Sequence, residues 1–371
     1  MNVPLLDLVA QYDGIKDEVL RAMMTVVERQ GFIMGPEVAQ LEGEVARLSS
    51  ARHAIGCASG TDALLLPLRA LDLKPGDEVI TTPFTFFATA GAIHNAGGTP
   101  VFVDIDPSTF NIAPHAIEAA ITPRTRGIVV VHLFGQMAPM ESVLPLADRH
   151  GLALIEDAAQ AIGARRKVGG QWRMAGELGT VGTFSFFPSK NLGGFGDGGM
   201  IVTQDDALAE RLRKLRLHGG ARQYHHDEVG YNSRLDTLQA AVLLAKLPHL
   251  AGWSRARGER ARRYSEAFAG HADVCPPAVD PANEHIFHQY TIRAPRRNEL
   301  QAHLKAKGIG NAIYYPLALH LQPCFEHLGY RRGQLPVTEA AMDSVISLPI
   351  YPELTREQQD TVIEAVLDFY A

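Results

Sequence analysis

Lys190 is set apart from the other lysines of the chain by its neighbours. It lies in SFFPSKNLGGFGDGGM (185–200), between an apolar run and five glycines. Burial lowers the pKa of a lysine and leaves a neutral, nucleophilic amine near neutral pH. Glycines allow the backbone to approach a ligand closely and to make turns that other residues cannot. The chain has eight lysines. Lys16, Lys214, Lys246, Lys305 and Lys307 fall in amphipathic helical patterns, Lys74 in a KPGD turn and Lys167 in a polar RRKVGG loop. A lysine that merely reaches to solvent is the commoner case, but it leaves the glycines without a purpose. GGFGDGG fits neither GxxxxGK[ST] nor a GxGxxG that opens a helix, which argues against a nucleotide loop.

Three further stretches carry candidate groups. LALIEDAAQAIG (152–163) ends a predicted parallel strand with Glu156 and Asp157, at the sheet edge where open α/β proteins bind ligands. A carboxylate there is either a helix cap or the partner of a cation such as a protonated ring nitrogen. CASGTDAL (57–64) follows a strand and opens a helix, so the amides at Gly60 and Thr61 could hold a phosphate, or Ser59 or Thr61 could serve as a plain cap. TPFTFFAT (82–89) offers Phe84, Phe86 and Phe87, either as core or as a surface for a flat ring. The histidines of HIFH (285–288) and YHH (224–226) have no convergent carboxylate or cysteine, so no metal site is expected. No GxSxG motif suggests a hydrolase.

The elements that must position these groups alternate. Strand-like HAIGCA, DEVITT, TPVFVDI, RGIVVVHLFG and LALIED are separated by helix-like segments, and TVGTFSFF and GGMIVTQ follow. This pattern predicts an α/β fold, a mainly parallel sheet covered by helices on both faces. After about residue 250 an arginine-rich helix and a proline-rich join lead to IFHQYTIR and NAIYYP (strands) and two helices, which read as a smaller α+β domain. The expected division is 1–250 for the large domain and 251–371 for the small one, with the N-terminal segment free to pack on the latter. The 371 residues carry a net charge of -6, which argues against a nucleic-acid polyanion as the main partner. The uncharged stretch from Val79 to Val103 is broken by Pro83, Pro100 and Gly97-Gly98, and reads as core rather than a membrane span. Three scattered cysteines and an N-terminus without a signal-peptide pattern point to a reducing, cytoplasmic setting.

An aspartate at a strand end, a serine five residues before a lysine, a helix N-terminus and a flat aromatic together make a pyridoxal 5'-phosphate site. With them the chain resembles the DegT-type nucleotide-sugar aminotransferases, of fold type I. The resemblance runs from GFIMGPEVAQLE (31–42) through SGTDAL, VFVDIDPSTFNI, IEDAAQAIGA, FSFFPSKNLGGFGDGGMIVT and GYNSRLDTLQAAVL (230–243) to YYPLALHLQP (314–323) and SLPIYPELT. It implies a large domain with a seven-stranded-type sheet and a smaller C-terminal domain. It implies that Lys190 attaches covalently to the cofactor aldehyde and shuttles a proton, and that Asp157 pairs with the ring nitrogen. Gln160 would bond the ring hydroxyl, Phe86 would stack on the ring, and Ser185 with Gly60 and Thr61 would hold the phosphate. Asn232 would reach that phosphate from the neighbouring subunit of a homodimer. The implied reaction is ping-pong transfer from L-glutamate to C3 or C4 of a nucleotide-linked keto-sugar, for amino-sugar, polysaccharide or glycoside biosynthesis. RQYHHDEVGYNSRLDTLQAA suggests enzymes acting on UDP-2-acetamido-3-oxo-glucuronate. Arg234 could meet a carboxylate or form a structural ion pair, and Tyr314, Tyr315 and His320 would line the sugar pocket across the dimer. A sugar dehydratase of the same family, which has histidine in place of Lys190, and a non-catalytic regulator are the alternatives.

Overall fold

A computed structural model describes residues 2–222 and 224–371; Met1 and Gln223, the latter within RQYHH, lie outside the described residues. Its strands are β1 His53–Cys57, β2 Glu78–Thr81, β3 Thr99–Phe102, β4 Thr125–Val131, β5 Ala153–Asp157, β6 Arg165–Val168, β7 Gln171–Met174, β8 Val181–Ser185, β9 Gly199–Thr203, β10 Asn283–Glu284, β11 Tyr290–Arg293 and β12 Val345–Leu348. Seven form one sheet in the order β1-β9-β8-β5-β4-β2-β3. β3, β2, β4, β5 and β8 pair in parallel, and β9 runs against both β8 and β1. The sheet is mainly parallel, as expected. Its central strands are buried along nearly their whole length because helices cover both faces, which is why they read as unbroken apolar runs.

Two apolar layers follow from this. One sets Val38, Leu41, Ile128, Val130, Leu154, Phe184 and Phe186 together. The other packs Leu64, Leu66, Leu68, Val79, Val129, Ile155 and Ile201. Adjacent residues of β4 and β5 divide between the two layers, as alternation along a strand requires. A further cluster gathers Tyr264, Phe268, Tyr290, Ile292, Leu300, Ile346, Val362 and Val366 around the β11–β12 pair. Val3 is part of it and is fully buried, with its carbonyl accepting from the Gly310 amide at 2.7 Å.

Two local readings change. The RRKVGG stretch is not a loop: β6 and β7 form a hairpin joined to β10, and Arg165 and Lys167 both sit over the Trp172 ring. NAIYYP is not a regular strand and makes a single bridge, Ala312 to Ser347. Among the described residues no helix is long and apolar enough to cross a membrane.

Candidate active site

β5 ends on two carboxylates that point to opposite faces of the sheet. Glu156 is fully buried and accepts four hydrogen bonds: from His132 Nε2 at 2.8 Å and from the amides of Gly176 (2.9 Å), Leu178 (2.7 Å) and Gly179 (2.6 Å). His132 Nδ1 accepts from the Ala138 amide, so the ring proton sits on Nε2 and is donated to Glu156. Glu156 therefore ties down the return from β7 to β8. Asp157 faces the other way. Its Oδ2 accepts from the Thr89 hydroxyl at 2.8 Å and its Oδ1 from the Ala159 amide at 3.2 Å. Since the Thr89 proton goes to Asp157, Thr85 must donate to Thr89, 3.0 Å away. Burial pushes the Asp157 carboxyl up, while Thr89, the Ala159 amide and the Lys190 charge pull against it. A cation placed here would be held firmly.

Ser59 caps the helix Gly60–Ala70, its side chain accepting from the Asp62 amide at 3.1 Å. Ser185, the last residue of β8, sits directly over the start of this helix. A Cβ on Gly60 would lie 2.5 Å from Ser185 Cβ, so only glycine permits the approach. Across the same corner, a Cβ on Gly199 would lie 2.2 Å from the Ser59 carbonyl oxygen. A hydroxyl and free helix-start amides meet at one point, which is what an anionic phosphate requires.

Lys190 rides on a tight turn. Its amide donates to the Phe187 carbonyl at 2.8 Å, and the Gly194 amide returns to Phe186 at 2.8 Å. The helix Thr237–Lys246 braces the far side: Gln239 Oε1 accepts from the Phe195 amide at 2.7 Å, and Lys246 Nζ donates to the Gly193 carbonyl at 2.8 Å. Lys246 ends a helix, as its amphipathic pattern predicts, and is buried where this contact draws it under the turn. Burial lowers both lysines to about 8, with Asp157 partly restoring Lys190.

These elements enclose a cavity of about 440 Å³ whose lining includes Gly60, Thr61, Phe86, Asp157, Gln160, Ser185 and Lys190. The three phenylalanines separate. Phe86 is 60% exposed and faces the cavity, Phe84 is core, and Phe87 stacks on Phe325 at 5.7 Å. Gln160 Oε1 accepts from the Phe134 amide at 2.7 Å, and its Nε2 donates to the Tyr315 hydroxyl at 3.2 Å.

Tyr314 and Tyr315 line this cavity from the same chain, which corrects their expected delivery across a dimer. His320 does not line it. It is buried with Nε2 3.2 Å from Glu339 and its ring edge-on to Tyr330, a packing role. Asn232 is exposed and also lies outside this lining, and Arg234 lines a separate depression with Arg222 and His226. Thr89, Ser189, Asp197, His288 and Gln289 are lining residues that sequence reasoning did not assign. Thr89, Ser189, Asp197 and His288 all fall within stretches that stood out in the sequence, but nothing in those stretches marked them individually.

The cavity fits pyridoxal phosphate on its own geometry: the glycine-only cradle for an anion, a buried carboxylate for a ring nitrogen, an exposed aromatic and a lowered lysine all open into it. Comparison with known proteins agrees. The DegT/DnrJ/EryC1/StrS aminotransferase family matches residues 13–367. A pleiotropic regulatory protein of Geobacillus stearothermophilus is 54% identical over 100% of this chain and 99% of its own length. A UDP-N-acetyl-3-dehydro-alpha-D-glucosamine 3-aminotransferase of Acidithiobacillus ferrooxidans is 48% identical over 96% of this chain and 95% of its own. A UDP-2-acetamido-2-deoxy-3-oxo-D-glucuronate aminotransferase of Pseudomonas aeruginosa is 43% identical over 95% and 96%. Among solved structures, S. venezuelae DesV superposes with a TM-score of 0.96 at 44% identity, covering 99% of this chain and 98% of that one. A Bacillus subtilis protein, NtdA, solved with bound PMP, gives 0.89 at 32% over 98% and 82%. Site and likeness lead to one conclusion: this chain belongs to the DegT/DnrJ/EryC1/StrS aminotransferase family and is a pyridoxal-phosphate-dependent sugar aminotransferase.

Proposed function

We propose that this enzyme moves the amino group of L-glutamate to C3 of a UDP-linked 2-acetamido-3-keto-sugar, in two half-reactions at one site. The observation that carries the reading is the convergence of Lys190, Asp157, Ser185 and the Gly60–Thr61 helix start on a single cavity. The position follows the two sugar aminotransferases named above, both of which act at position 3 of UDP-linked sugars.

Ser185 and the amides of Gly60 and Thr61 hold the phosphate, and the helix Gly60–Ala70 presents its positive end to it. Asp157, fixed by Thr89, keeps a proton on the ring nitrogen. Phe86 covers one face of the ring, and Gln160 offers its remaining N–H to the ring hydroxyl. Pyridoxal phosphate bound here supplies the electron sink that makes the neighbouring C–H bond acidic. Lys190, with its pKa lowered to about 8, has a neutral fraction at neutral pH, and its Nζ is the atom that holds the proton in transit.

The working unit is a homodimer with shared sites. Among the described residues no arginine lines the cavity, although glutamate brings carboxylates that need one. Asn232 and Arg234 of the neighbouring subunit fill that need, Asn232 on the phosphate and Arg234 on a carboxylate. The domain boundary falls near residue 250, a division supported by the cluster around β11 and β12.

Purified protein is expected to be yellow, and borohydride to fix the cofactor on Lys190. A Lys190→Ala protein that transaminates at full rate would end the assignment. A panel of UDP-3-amino-sugars, both glucosamine and glucuronate forms, run in reverse with 2-oxoglutarate ranks the substrates. C4-amino sugars turning over faster would overturn the C3 reading. Mixing Lys190→Ala with Asn232→Ala subunits should restore activity, since one site of the mixed dimer is intact; activity no higher than either parent speaks against shared sites.

A further inference from the structure

The mechanism above assigns nothing in the motif HIFH and leaves His288 without a task. Yet His288 lines the Lys190 cavity while only 5% exposed. Its surroundings fix its tautomer. Asn191 is also buried and donates Nδ2 to the Ile286 carbonyl at 3.2 Å, which turns its Oδ1 toward His288 Nδ1 at 3.0 Å. An amide oxygen only accepts, so Nδ1 carries the hydrogen and Nε2 presents a lone pair. Among the described residues the hydrogen-bond partner of Nε2 is the Gln289 side-chain amide, 3.5 Å away and at the limit of such a bond. Arg257 pins the backbone, donating to the carbonyls of Phe287 (3.2 Å), His288 (3.4 Å) and Ile350 (2.8 Å). Burial, with the charges of Lys190 and Arg257, holds the ring well below its ordinary pKa. Asn191 directly follows Lys190, so the ring is tethered to the lysine's turn and shares its cavity, with Nε2 meeting Gln289 rather than Nζ here.

A locked acceptor that stays neutral has a use next to a lysine that must take a proton and give it back. A competing base would accept that proton and lose it to solvent. A neutral acceptor instead orients the N–H bonds and leaves the proton where it is.

We propose that His288 is a further catalytic residue whose Nε2 accepts a hydrogen bond from Lys190 Nζ, in place of the weak one from Gln289, when the cofactor carries the amino group. Only a hydrogen bond forms and breaks; the transferred proton stays on Nζ. The proposal rests on the reading of Lys190 as proton carrier, and two measurements keep the two apart. The first mixes holoenzyme with α-deuterated or ordinary glutamate and follows the loss of yellow absorbance in wild type, His288→Phe, His288→Gln and His288→Asn. His288→Phe should bleach roughly tenfold to a hundredfold more slowly, the range of one hydrogen bond to a charged group. Its deuterium effect should exceed that of wild type. His288→Gln, which puts an acceptor near the position of Nε2, should be about tenfold faster than His288→Asn, which does not. His288→Phe within about twofold of wild type, or Asn matching Gln, overturns the proposal. If His288→Phe loses its cofactor, the Gln and Asn pair decides.

The second measurement does not depend on glutamate. It takes the enzyme loaded with pyridoxamine phosphate, where Lys190 is free, and reads the pH dependence of Lys190 acetylation by acetic anhydride from peptide masses. Losing an acceptor destabilises the ammonium, so the apparent pKa of Lys190 should fall by about one unit in His288→Phe and recover in His288→Gln. Asp157, Asp197, Tyr314 and Tyr315 also line the cavity and are unchanged in every variant. One apparent pKa across the series overturns the proposal even where another amino donor proves correct; glutamate inactive with wild type counts against the donor alone.

Discussion

Lys190 costs the fold something before any cofactor arrives. Its pKa falls from 10.5 to about 8, chiefly through burial, so the unfolded chain binds the proton more readily between those values. That cost is fully present below pH 8 and is relieved as the pH rises toward 10.5. Lys190→Met should therefore stabilise the cofactor-free protein by about 2 kcal/mol at pH 7, and the gain should shrink by pH 10, as urea unfolding at the two values will report. Single residues were legible in the sequence where local pattern marks their position. Asp157 and Ser185 end strands, Lys190 and Phe86 lie in the turns that follow strands, and all four line the cavity. Thr89 and His288 were not legible, because their significance lies in partners 68 and 97 residues away. The burial of Lys246 was hidden for the same reason: its amphipathic helix was readable, and only the fold shows that its amine reaches the Gly193 carbonyl.

At the scale of elements, the site depends on corners where two ends meet. The helix start at Gly60 touches the end of β8, and an added methyl there has backbone and Ser185 on its way. Gly60→Ala should weaken cofactor binding by at least about tenfold while costing roughly 1–3 kcal/mol of stability, an overpacking effect. Titration of the yellow band against added cofactor checks the first figure and thermal unfolding the second. β5 depends on a different corner. Glu156→Gln replaces a four-fold acceptor by an amide whose NH2 faces donors, and should destabilise by about 3 kcal/mol without altering the spectrum of bound cofactor at low temperature. The parallel strands were readable because burial on both faces makes them apolar throughout. The β6–β7 hairpin was not, since RRKVGGQWRM is polar on its exposed face and is held by arginine and lysine over Trp172.

For the whole molecule, the sequence showed the alternation and the change of style near residue 250 and left the N-terminal segment free to pack on the small domain, but it did not mark Val3 as the residue that makes the return. Val3 is buried among residues of the β11–β12 cluster. Val3→Ala should lower stability by about 2 kcal/mol, seen as a drop in Tm of a few degrees and not as a change in the cavity's chemistry. The antiparallel strand β9 has a consequence of another kind, in the order of synthesis. β1 borders no other strand than β9 and stands at the edge of the sheet. On the ribosome it has no partner until residues 199–203 have been made, and the cradle that follows it at Gly60 stays open until β8 and β9 arrive together. Val3 waits longer still, for Ile309. The chain therefore emerges with an unpaired strand and an unformed phosphate site for most of its translation, a period in which nascent protein is most exposed to misassociation. Cofactor loading waits first for residues 199–203, when the last-made strand of the sheet closes onto the first, and then for Tyr314 and Tyr315, which complete the cavity.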